Sequence, residues 1–151
     1  MTKALDLFSS LVPRLQAISV ANGYATNAGR SVLVGPVPRQ AGEAYPFCRL
    51  HEIEASVESP LPHRPSSKVR VQFMAEAYAE ESDAARIYAT GHALVGDLKK
   101  ALFGDTLRDL NGGAIDAQLE SYRLLPPEEG STIVVAQVRG SYSFVDHFNA
   151  P

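Results

Sequence analysis

Asn22-Gly23-Tyr24-Ala25-Thr26-Asn27-Ala28-Gly29-Arg30 separates a helical pattern from an extended one. Asn22 and Gly23 tolerate positive φ, so the spacing predicts that the first helix ends there. Tyr24 supplies an aromatic anchor. Thr26, Asn27 and Gly29 then turn the chain, and Ser31-Val32-Leu33-Val34 has the β-branched character of a short strand. The stretch carries no catalytic motif. It is an architectural corner, and the elements on either side follow from it.

Upstream, Leu5, Phe8, Leu11, Val12, Leu15 and Ile18 recur at helical spacing, with Thr2 as candidate N-cap. Pro13 interrupts the pattern. It has no N–H for the Ser9 carbonyl and disfavours helical geometry at Val12. A kink or a helix restarting at Pro13 is expected. The plainer alternative leaves residues 2–10 as a loose arm.

Downstream, the strand over 31–35 is followed by the loop Gly35-Pro36-Val37-Pro38-Arg39-Gln40-Ala41-Gly42, closed by Pro46. From Phe47 to Val57 the chain reads as extended, with Ile53, Ala55 and Val57 on one face and Glu52, Glu54 and Ser56 on the other. Pro60, Pro62 and Pro65 mark 58–67 as an exposed loop. Val69, Val71, Phe73, Ala75 and Ala77 alternate over a strand at 68–79, so the two extended runs form an antiparallel hairpin. Ile87, Gly91, Leu94, Leu98 and Ala101 form the stripe of a second helix, capped by Ser82 and ended by Gly104. Gly91 and Gly96 weaken that helix, and close approach to a sheet is the expected reason. A turn follows at Asp109 to Gly113. Two further strands, 114–124 and 131–145, flank Pro126-Pro127-Glu128-Glu129-Gly130. Val134, Ala136, Val138, Gly140, Tyr142 and Phe144 share a face of the last. The predicted order is α-β-β-β-α-β-β, an α+β domain over 1–151 with two main helices packed on an antiparallel sheet.

Composition narrows function by exclusion. A chain of 151 residues with 45% hydrophobic residues supports a core without staples. A net charge of -3, with no block of like charge, gives nucleic acid or an anionic membrane no electrostatic handle. Cys48 is the single cysteine, which suits a reducing compartment. Asp6 and Arg14 interrupt any signal-peptide pattern, and no apolar run approaches the ~20 residues that cross a bilayer. The expectation is a soluble protein that folds in a cytoplasm.

No constellation of reactive groups emerges. His51, His63, His92 and His147 lack metal-ligand spacing. His51 lies beside Glu52 and Glu54, but on a regular strand it faces away from both, so a solvated strand face is the favoured reading. His92, near Tyr88, reads as a packed or surface residue. Cys48 next to Phe47 reads as a small buried thiol. Gly112-Gly113 precedes a strand, so it is no phosphate loop. Catalytic residues, cofactors and metal ligands are therefore assigned to none.

Taken together, the chain resembles the tail terminator, or tail completion, proteins of long-tailed bacteriophages and prophages. The likeness rests on Leu15-Gln16-Ala17-Ile18, on Gly23-Tyr24-Ala25-Thr26-Asn27-Ala28-Gly29, and on a strand ending at Gly35. It continues in Asp97-Leu98-Lys99-Lys100-Ala101-Leu102 and in a valine-rich last strand ending near Tyr142. Pro36 after Gly35, with Arg39 later, and Pro13 depart from the pattern. The resemblance implies a structural virion protein of the tail or neck, assembled in the host cytoplasm as a homo-hexameric ring. Its partners would be the tail tube protein and the head connector, with DNA only passing through the lumen and no membrane contact. Candidate interaction residues lie in the polar loops: Arg39 and Gln40, His63 and Arg64, Glu128 and Glu129. The alternatives are another head–tail connector or neck protein and, in a different class, a small enzyme or ligand-binding domain built around His51, His92 or Cys48.

Overall fold

A computed structural model describes residues 2–36, 44–60, 66–104 and 115–147, with the side chains of 59, 60, 115 and 116 excepted. The fold is α+β. Two short helices, α1 (Lys3–Ser9) and α2 (Leu11–Gln16), precede β1 (Val32–Val34). The long strands β2 (Phe47–Pro60) and β3 (Ser66–Glu80) follow, then α3 (Ile87–Phe103), β4 (Ile115–Leu125) and β5 (Ile133–His147). The five strands lie in the order β1-β2-β3-β5-β4. Three of the four pairings are antiparallel. The fourth, β1 on β2, is parallel and matches Val32 to Cys48 and Val34 to Leu50, so the sheet is mixed.

All three helices cover one face of the sheet. Val71, Phe73, Ala75 and Ala77 of β3 alternate inward, as do Val134, Ala136, Val138, Gly140, Tyr142 and Phe144 of β5. Onto them pack Leu7, Leu11 and Leu15 from α1 and α2, and Leu94, Leu98 and Leu102 from α3. Each such leucine contributes about 1.5–3 kcal/mol by leaving water. Small residues at the sheet centre let the helices approach. A Cβ on Gly140 would meet Phe103 Cζ at 2.4 Å, where Phe103 stacks on Phe73.

The N-terminal region is ordered helix, not a loose arm. Thr2 caps α1 through the Leu5 N–H, and Leu7 and Phe8 are buried. The interruption falls at Ser10, so Pro13 enters the first turn of α2. An N–H there would have no intrahelical partner, and proline is tolerated. Asn22 and Gly23 do not end this helix. It stops at Gln16, and Gly23, at φ +87°, closes a separate 3-10 turn over Val20–Asn22.

Other boundaries shift for local reasons. Ser66 and Ser67 extend β3 and residues 58–60 extend β2, which leaves 61–65 of the expected loop outside the described residues. The loop over 37–43 and the turn at 109–113 also lie outside them. Asp83, not Ser82, provides the cap, accepting the Ala85 N–H at 3.0 Å ahead of a 3-10 turn that leads into α3. Gly91 is in close contact as expected, since a Cβ there would lie 2.9 Å from Leu124 Cδ2. Gly96 is not: it is exposed, with nothing within 4 Å of that position.

Candidate functional site

The corner that opens the sequence is fastened to α3 by a buried carboxylate. Asp97 is 5% exposed. It accepts the Ala25 N–H at 2.9 Å, the Thr26 N–H at 2.8 Å and the Thr26 hydroxyl at 2.7 Å. One turn on, Lys100 Nζ donates to the Gly23 carbonyl at 3.0 Å and stands 4.5 Å from the centre of the Tyr24 ring. Asn27 Oδ1 accepts the Val20 N–H at 2.9 Å. Gly29 completes the corner by donating to the Ile18 carbonyl, and a Cβ on it would sit 2.3 Å from the Leu15 carbonyl oxygen. A buried charge is tolerated when its lone pairs are filled, and here hydrogen bonds satisfy both Asp97 oxygens.

A second polar arrangement crosses the other face of the sheet. Arg123 Nε on β4 donates to Gln137 Oε1 on β5 at 2.6 Å. Gln137 Nε2 donates to Glu76 Oε2 on β3 at 2.7 Å, and Glu76 Oε1 lies 2.9 Å from His51 Nε2 on β2. Burial, then the Glu76 charge, push the neighbouring Tyr78 phenol up to about 12. His51 is therefore not on a free solvated face. A bulge at Ile53 disturbs the alternation of β2, so Glu52 opposes the inward Phe73 while Glu54 opposes Gln72 on the face of His51. The histidine's partner is Glu76, which the sequence places 25 residues away. No sequence-local signal marks it.

Farther along the hairpin, Glu58 takes bonds from Arg70 and Ser143 and faces Lys68. The Arg70 bond, foremost, holds its carboxyl below the usual range. Residues 52–58 are exposed throughout, including Ile53 and Val57. β1 accompanies β2 only as far as Leu50, where Gly35 donates to the Leu50 carbonyl at 2.8 Å. Beyond it, β2 is an edge strand among the described residues.

Of the residues expected to make contacts, Glu128 and Glu129 are exposed in the β4–β5 connection. Arg39, Gln40, His63 and Arg64 lie outside the described residues. Cys48 is buried; burial, then the Asp97 charge, push its thiol up to about 12, which makes it a poor nucleophile at neutral pH. His92 is exposed on α3, and His147 ends β5, far in sequence from the corner. Among the described residues no three His, Cys, Asp or Glu side chains converge to hold a metal ion, and no helix is long and apolar enough to cross a membrane. No protein-family model matches this chain, and no curated protein matches it in sequence.

Proposed function

We propose that this chain is a structural subunit of a long-tailed phage or prophage particle, a tail terminator. Copies close into a homo-hexameric ring on the end of the tail tube, stop its growth and present a surface to the head connector. The ring is a virion component assembled in the host cytoplasm, and the subunit has no catalytic task. DNA passes through the lumen without a dedicated contact, in keeping with the net charge of -3.

One observation carries this reading. Two of the stretches on which the resemblance rests, Gly23–Gly29 and Asp97–Leu102, form one joint through Asp97 and Lys100, by contacts between residues 71 to 77 apart in sequence. Strings that resemble a family by chance have no reason to meet in space. Here their polar atoms are matched to one another, which supports a shared structural unit. A ring further requires surfaces that join head to tail, because a self-complementary patch stops at a dimer.

Electron microscopy of particles made without this gene tests the proposal. The expected result is overgrown tail tubes with no heads attached. Tails of normal length already joined to heads overturn it. Tails of normal length that fail to join reassign the protein to the connector.

A further inference from the structure

We infer that the subunits of this ring are joined by the exposed edge of β2 on one copy seating against the solvent face of α3 on the next, an assignment that rests on the ring reading. The two surfaces differ and are complementary. On the first, residues 52–58 lie at the sheet edge past the end of β1, with Ile53 40% and Val57 57% exposed. An edge of this kind is a template for association unless something covers it. Glu52 and Glu54 flank Ile53 from opposite faces of the sheet, because of the bulge there, and both are exposed with no salt bridge among the described residues.

The second surface is cationic and notched. Lys99 Nζ stands 3.8 Å from the centre of the Tyr122 ring and Lys100 Nζ 4.5 Å from that of Tyr24, so both ammonium groups are held in place on either side of the helix. Between them and one turn back, exposed Gly96 has nothing within 4 Å of a built Cβ. A glycine in an exposed helix interior weakens the helix, and this one serves no contact among the described residues. It leaves room for another chain. An ammonium over a ring keeps free N–H donors, even Lys100, which spends one on the Gly23 carbonyl, and the carboxylates on either side of Ile53 are the chemistry that fills them. The carboxylates belong to a second copy of this chain. Because the surfaces are unlike, the contact is heterologous and repeats until the ring closes.

The test uses the whole chain and light scattering, with circular dichroism as the check on folding. Glu52→Lys with Glu54→Lys, and separately Lys99→Glu, are each expected to weaken assembly tenfold or more. Mixing the two variants restores it in part, since the lysines introduced at 52 and 54 then meet the carboxylate introduced at 99, while the unaltered Glu52 and Glu54 of the other variant meet an unaltered Lys99 and Lys100. Gly96→Glu guards against mere misfolding. It places a carboxylate four residues before Lys100, which favours the helix, so its melting temperature at low concentration rises while assembly is lost. A wild-type ring that tolerates these changes, or variants that fail alone and fail together, overturns the assignment of the two faces. Wild-type protein that stays monomeric at every concentration and on tail tubes overturns the ring reading itself.

Discussion

Asp97 shows how much one side chain decides. Replacing it by asparagine leaves one oxygen where two accept three bonds, and turns an amide toward backbone N–H groups. We expect Asp97→Asn to cost about 2–3 kcal/mol, read from urea unfolding followed by circular dichroism. Two glycines give opposite outcomes. Gly29→Ala drives a methyl into the Leu15 carbonyl and costs about 3 kcal/mol or more. Gly96→Ala enters open space and stabilises by roughly 0.5–1 kcal/mol. Cys48 adds a chemical check. With its thiol pushed up to about 12 and buried, it resists a thiol reagent in native protein and reacts once the protein is unfolded. Its folded value is the raised one, so its contribution to stability is whole below the ordinary thiol value of 9.0 and is lost as pH climbs toward about 12.

At the scale of elements, the contact of Glu58 with Arg70 and Ser143 ties β2, β3 and β5 together. The Glu58 carboxyl is lowered in the folded state. Its contribution is therefore present above the ordinary value of 4.5 and is lost as pH falls through the lowered one. Arg70→Gln should flatten the acid limb of the melting-temperature profile; an unchanged limb shows the contact to be idle. The strands themselves are legible because alternation of apolar residues is a local signal: β3 carries it from Val69 to Ala77 and β5 from Val134 to Phe144. Helix α3 was legible from its leucine stripe. Three features were not. The parallel seat of β1 depends on a partner strand, and nothing in Val32–Val34 encodes its direction. The bulge at Ile53 moved Glu52 away from Glu54, because register is fixed by pairing and not by spacing alone. The roles of Asp97 and Glu76 were hidden because their partners lie on other elements, and a lone carboxylate in a helix or strand reads as a solvated charge. Gly96, expected against the sheet, is exposed: a glycine in a helix does not say which neighbour, if any, it makes room for.

For the molecule as a whole, the expectation is a frame that is stable alone and adhesive at its margins. Replacing residues 61–65 with a two-residue turn between Pro60 and Ser66 should leave the melting temperature of the subunit unchanged, since the hairpin is held by pairing along β2 and β3. The same change should weaken docking to tail tubes in a co-sedimentation assay, in line with the contact role expected of His63 and Arg64. Unfolding of this variant, or unaltered docking, counts against that role.

The position of β5 has a consequence for how the protein is made. It is the last described strand, yet it lies between β3 and β4 and matches β3 from Ser66–His147 to Glu80–Ile133. The sheet cannot close until that strand has left the ribosome, which at about 5–20 residues per second keeps the earlier hairpin waiting for seconds. During that interval β3 has a bare edge, and chaperones have something to hold. A chain cut short before β5 lacks the strand that joins β3 to β4, so an unfinished translation product cannot complete the sheet.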